Sequence, residues 1–343
     1  MPKYLLLLCT IVLLAASTAS AAPDTTATPP PQPASGPGGT DYASAKITAH
    51  RYGEGNSEFW IFEPADPAPK SAPLIIFNHG WSAMNPNDYG AWITHIVRRG
   101  NIVIYPRYQA AETTPLADFV PNTIAAVKAA LAELQTGSHV RPELNHVAIV
   151  GHSMGGIITA SLAALAAHEN LPIPKAICCV EPGGPPLGGD LSNIDPATFA
   201  LVIVGDQDRI AGIAPGKIIF TALQQIPPAK KDFVTLVSDN HGTPPLVADH
   251  MAPVAIAVLS ASDQPAQPVG PIRAAVREHV EQNSLTALDY YGVWKLFDAL
   301  TDDAFYGKNA PYALGNTPQQ RFMGTWSDGV AVKELKIGVE AAK

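Results

Sequence analysis

Residues 147–157 read Val-Ala-Ile-Val-Gly-His-Ser-Met-Gly-Gly-Ile, and this order decides the fold. Val147 to Val150 form a continuous apolar run of strand length, as expected of a strand covered on both faces. Ile157 to Ala167 carry apolar residues at helical spacing. Between them stands Gly151-His152-Ser153-Met154-Gly155-Gly156, a G-x-S-x-G in the strand, turn, helix context that gives the motif its meaning. Such a turn strains the serine backbone, and a Cβ at Gly151 or Gly155 would collide with the neighbouring strand and helix. The turn lifts Ser153 above the strand ends as the candidate nucleophile. It also sets the Met154 N–H at the positive end of a helix.

Outward from this point, short apolar runs alternate with longer helix-like stretches. The runs are Leu74 to Phe77, Ile102 to Tyr105, Ile177 to Val180, Leu201 to Val204 and Phe233 to Val237. Tyr89 to Arg99, Ala117 to Leu134 and Gly155 to His168 carry the helical spacing between them. The alternation predicts a mainly parallel sheet with helices on both faces. Ala49 to Tyr52 and Phe59 to Phe62 flank the turn-rich Gly53 to Asn56 and suit an antiparallel edge hairpin. Leu285 to Leu300 reads as a closing helix with Val293, Leu296 and Leu300 inward, Asp298 turned away and Asp289 intruding on the apolar face. Cys178 and Cys179 are adjacent on a strand, so they point to opposite faces and read as buried free thiols.

The ends bound the compartment. Lys3 precedes an apolar run from Tyr4 to Ala16 and a small-residue stretch to Ala22, the pattern of a secretory signal peptide over 1–22. Cys9 lies inside the apolar run, after Leu8, and does not read as a lipid anchor. Residues 23–39 are Pro, Thr, Ala and Gly with almost no large apolar side chain, which reads as a flexible tether. Residues 40–343 then form one large domain. An exported chain, periplasmic or extracellular, is expected, with no stable membrane insertion once the signal is removed. The net charge of −8 and the lack of any Lys/Arg cluster argue against nucleic acid as partner. No metal, nucleotide or P-loop motif is visible, so no cofactor is expected.

The elbow, together with Asn78-His79-Gly80-Trp81 after the run Leu74 to Phe77, resembles the α/β-hydrolase superfamily. It is most similar to the lid-poor secreted esterases, dienelactone hydrolases and cutinase-like enzymes. The resemblance covers roughly Leu74 to Gly242 and implies an α/β-hydrolase fold without a large cap domain. It also implies a carboxylic ester substrate, small or polymeric. It gives the Trp81 N–H as partner of the Met154 N–H in an oxyanion hole. His79 becomes a structural residue of its loop, and His152 packs against the sheet.

The superfamily order of nucleophile, acid, base leaves His241, His250 and His279 as bases. The placement just past the run Phe233 to Val237 favours His241, with His250 second and His279 third. For the acid, the G-x-x-D pattern in Gly205-Asp206-Gln207-Asp208 favours Asp208, with Asp206 as a loop brace and Glu181 as the rival. The implied reaction is hydrolysis through an acyl-enzyme. About twenty residues, rich in Gly and Pro, separate Glu181 from Ala200, too few for a large helical cap, so an open site is expected. A polyester hydrolase, a peptidase or amidase with the same triad, and a non-catalytic binding protein on this fold are the alternatives. The polyester reading lacks the aromatic wall residue and C-terminal disulfide implied by that likeness.

Overall fold

The computed structural model describes residues 26–259 and 285–341. The expected signal segment, Cys9 and His279 lie outside them. Nine strands form one sheet in the order β1-β2-β4-β3-β5-β6-β7-β8-β9. They are β1 (Ile47–Tyr52), β2 (Phe59–Pro64), β3 (Ser71–Asn78), β4 (Ile102–Pro106), β5 (Arg141–His152), β6 (Ala176–Val180), β7 (Phe199–Gly205), β8 (Lys231–Leu236) and β9 (Lys336–Ile337). The six strands β3 to β8 run parallel, and antiparallel pairing is confined to the two ends of the sheet.

The parallel strands alternate inside their apolar runs. Ile75, Phe77, Val150 and Cys178 face one core with α1 (Gly90–Arg98) and α5 (Lys295–Tyr306). Leu74, Ile76, Ile149 and Cys179 face the other core with α2 (Phe119–Glu133), α3 (Met154–Leu165) and α4 (Ala214–Ala222). Apolar residues at every position are thus what a two-sided burial requires. The two cysteines are free and buried on opposite faces. The chain passes from β3 to β4 on one side and to β5 on the other, so strand order reverses at β3. A crevice at the carboxyl ends of β3 and β5 follows from that reversal, and Asn78 pairs there with Gly151.

Two expectations are corrected. Leu285 to Leu300 is not one α-helix: a π-helix over Leu288–Trp294 leads into α5. Asp298 is buried on it, accepting from the Gly38 N–H at 2.8 Å and facing His95 Nε2 at 2.9 Å. Burial pushes this carboxyl up, but the His95 and Arg99 partners outweigh burial and hold it below its usual range.

The Gly38 contact belongs to the second correction, because residues 26–39 are not a free tether. The Ala27 carbonyl accepts from Thr243 N at 2.8 Å, and Thr28 exchanges bonds with Ser327. The Gly36 carbonyl accepts from Arg99. This strap is held through its main chain, which composition does not reveal, and its prolines leave it little backbone freedom to lose on ordering. A chain beginning at Thr40 should therefore melt about 3–8 °C below one beginning at Thr26 in differential scanning calorimetry. A free tether would give equal values.

Candidate active site

Ser153 has φ 56° and ψ −124° at the start of α3, a left-handed conformation that strains any residue other than glycine. Two contacts impose it. A Cβ on Gly155 would stand 2.0 Å from the Asn78 carbonyl oxygen, and one on Gly151 would stand 2.2 Å from the Gly155 oxygen and 2.6 Å from Thr159 Oγ1. Backbone approach this close leaves room for hydrogen only. The Ser153 N–H donates to the Val180 carbonyl at 3.0 Å, so the elbow is fixed to β6 as well.

His250, not His241, stands beside the serine. Its Nε2 lies 2.9 Å from Ser153 Oγ and its Nδ1 2.8 Å from Asp208 Oδ2. The second Asp208 oxygen accepts from the Ile210 and Ala211 N–H groups, each at 2.9 Å. Burial pushes the Asp208 carboxyl up, but the His250 bond and charge and the two N–H donors hold it below its usual range. Asp206 braces the loop instead, accepting from the Ser238 N–H and hydroxyl.

His241 is displaced because the chain does not return directly after β8. Asp239 and Leu246 exchange both main-chain bonds at 2.8 Å, closing an excursion that carries His241 away from the serine to Asp328 Oδ2 at 2.7 Å. The chain then re-enters the core at Leu246 and Ala248. The Ala248 carbonyl accepts from Gln207 N at 3.0 Å, which sets His250 over the end of β7. The available signal was compositional: Asn240-His241-Gly242-Thr243-Pro244-Pro245 is turn chemistry, and apolar residues resume only after it.

The loop after β3 closes the other side. A Cβ on Gly80 would lie 3.3 Å from Ser153 Cβ, so this main chain abuts the serine. Neither the Trp81 N–H nor the Met154 N–H has a main-chain acceptor among the described residues, leaving both available to a ligand. The Trp81 side chain is half-buried beside Tyr108, Phe119 and Met154. His79 stacks on Tyr108 with ring centroids 4.0 Å apart, a structural role in its loop.

Glu181 is fully buried at φ 42°. Its Oε2 lies 4.0 Å from His250 Nδ1 and 3.6 Å from His152 Nε2, and neither carboxyl oxygen has a hydrogen-bond partner among the described residues. Burial, then the charges of Asp208 and Asp249, push its carboxyl well up, towards the neutral form. His152, Glu181 and His250 come close enough together to ligate a metal ion. Yet both His250 nitrogens already serve Ser153 and Asp208, and His152 Nε2 donates to the His250 carbonyl at 2.8 Å. The donor set is that of a hydrogen-bond network.

The parallel sheet, its order reversal at β3 and a strained serine between β5 and α3 decide the fold. The chain has the α/β-hydrolase fold. A family model described as Chlorophyllase matches residues 42–186 and supports, at family level, an ester hydrolase acting on a small molecule. The match takes in the loop after β3, the elbow and Glu181, and ends before Asp208 and His250. No curated protein matches the chain.

The state of Glu181 has a measurable consequence. A carboxyl raised by folding leaves stability intact below its unfolded pKa of about 4.3 and removes it as pH rises towards the folded value. The protein with Glu181→Gln should therefore gain thermal stability over the parent at pH 8 relative to pH 4. A difference in melting temperature that is flat with pH would show Glu181 to be unshifted.

Proposed function

We propose that this α/β-hydrolase is an exported serine esterase that cleaves carboxylic esters through an acyl-enzyme. The observation that carries the reading is the unbroken path from Ser153 Oγ to His250 Nε2 at 2.9 Å and from His250 Nδ1 to Asp208 at 2.8 Å. Nucleophile, base and orienting acid each need that reach.

In the proposed reaction His250 Nε2 takes the hydroxyl proton as Ser153 Oγ bonds to the ester carbonyl carbon. The carbonyl oxygen becomes an oxyanion, met by the Trp81 and Met154 N–H groups. The intermediate collapses, the carbon–oxygen bond to the alcohol breaks, and His250 returns its proton to the leaving oxygen. Water then gives a proton to His250 and attacks the acyl carbon. Ser153 leaves, recovers the proton, and the carboxylic acid departs. Asp208 holds the imidazole with Nδ1–H towards itself and stabilises the imidazolium between these steps.

The connection from β6 to β7 contains only a short 3-10 turn at Leu191–Asn193, which supports an uncapped cleft open to small esters. Export rests on the amino-terminal pattern of residues 1–22.

A fluorophosphonate should label Ser153, located by peptide mass spectrometry, because an activated serine attacks phosphorus electrophiles. An active sample labelled elsewhere would overturn the assignment. On a p-nitrophenyl ester, His250→Ala should lower kcat by about 10³-fold or more while His241→Ala stays within about threefold of the parent. Asp208→Asn should likewise lower kcat by about 10³- to 10⁴-fold and Glu181→Gln far less. The reverse ranking of these two variants would move the acid to Glu181.

A further inference from the structure

Tyr89 ends the short 3-10 turn Pro86–Tyr89 before α1 and is buried against Phe77. Its ring has the surroundings of a core residue, but both partners of its hydroxyl belong to the candidate active site. The Gly80 N–H donates to Tyr89 Oη at 3.0 Å, and Tyr89 Oη lies 2.8 Å from His152 Nδ1. His152 Nε2 in turn faces the His250 carbonyl at 2.8 Å. A peptide N–H can only donate and a carbonyl can only accept, so the direction of this path is fixed. Gly80 donates to Tyr89, Tyr89 donates to His152 Nδ1, and His152 donates from Nε2 to His250. A protonated His152 could not accept from Tyr89. Burial, then the neighbouring His250 charge, agree with this by pushing the His152 pKa down to about 3.

The path matters because Gly80 has no side chain of its own to fix the oxyanion loop. Its carbonyl is held by His79 Nδ1 at 2.7 Å and Ala83 N at 3.1 Å. In a trans peptide the Trp81 N–H points opposite to that carbonyl. The preceding peptide is held by Tyr108 Oη on the His79 carbonyl at 2.8 Å and by Tyr89 on the Gly80 N–H. Tyr89 is therefore bonded to the oxyanion loop and also reaches, through His152, the main chain of the base.

We propose that Tyr89 is a positioning residue, tying the Trp81 oxyanion peptide to His250 through neutral His152 so that donor and base keep a fixed separation. The inference rests on the serine esterase reading above. The test is Tyr89→Phe, which keeps the ring and removes only the hydroxyl, with His152→Gln as a second break in the same path. Lys295→Met is the control: this buried lysine donates to the Gln320 and Phe322 carbonyls, away from the site, and its loss destabilises without touching the path.

Steady-state kinetics on a p-nitrophenyl ester and the rate of fluorophosphonate labelling are measured for each variant. Tyr89→Phe should lower kcat and the labelling rate by about 10- to 100-fold, with KM within about twofold. His152→Gln should do the same, and Lys295→Met should melt earlier with kcat unchanged. If Tyr89→Phe does not fold, the kcat-against-KM split of His152→Gln decides. Parent-like kcat and labelling in whichever variant folds would overturn the proposal while leaving the esterase reading intact. Failure of Ser153 to be labelled in the parent would instead remove the reading itself.

Discussion

The site depends on one close approach, that of Gly155 to the Asn78 carbonyl, where a Cβ would stand 2.0 Å from the oxygen. This contact presses the start of α3 onto the end of β3 and leaves the turn between β5 and α3 no room to relax. Ser153 is driven to φ 56° as a result, and the same approach brings Gly80 against the serine side chain. Ser153 and the loop after β3 are juxtaposed by main-chain packing, before any side chain contributes. Strain of this kind persists only where the surroundings over-determine it, and here β6 adds the Val180 carbonyl bond.

Whatever was local in this architecture was legible in the sequence. The apolar runs marked the buried parts of the parallel strands, though β5 begins six residues before its run, at Arg141, and the elbow glycines marked the turn, because both are decided by neighbours in the chain. Which histidine stands beside Ser153 was not legible. His241 and His250 sit nine positions apart, and the choice between them turns on whether residues 238–250 form a short loop or an excursion pinned by the Asp239 and Leu246 bonds. The strap over 26–39 was missed for a related reason. Its hold is main-chain hydrogen bonding to distant partners such as Asp298 and Ser327, which leaves no apolar pattern behind. The same strap explains why Asp298 is buried on a face where a carboxylate would otherwise be turned to solvent.

Two carboxyls near one imidazole are pushed in opposite directions because their surroundings differ. Asp208 receives two main-chain N–H donors and His250 Nδ1, so its anion is stabilised in place. Glu181 Oε2 lies 3.6 Å from His152 Nε2, yet neither carboxyl oxygen accepts a hydrogen bond among the described residues, and burial pushes its carboxyl up. The anionic partner of His250 is thus chosen by hydrogen-bond donors in the loop after β7, not by distance alone.

A second Tyr–His–Asp arrangement shows what such a network lacks when it is only structural. Tyr42 Oη lies 3.1 Å from His95 Nδ1, and His95 Nε2 lies 2.9 Å from Asp298, distances comparable to those around His250. Here, however, the hydroxyl belongs to a phenol in an unstrained segment beside the strap, and the aspartate also serves the Gly38 N–H and Arg99. Its neighbours Pro73 and Asn101 lie towards the amino ends of β3 and β4, where no reversal of strand order opens a crevice. The N–H nearest to it, that of Gly38, is already spent on Asp298. The hydrogen-bond lengths of a triad are therefore common to both ends of this molecule. What distinguishes the Ser153 end is the strained turn and the Trp81 and Met154 N–H groups, which have no main-chain acceptor among the described residues and would be the donors for an oxyanion in the proposed reaction.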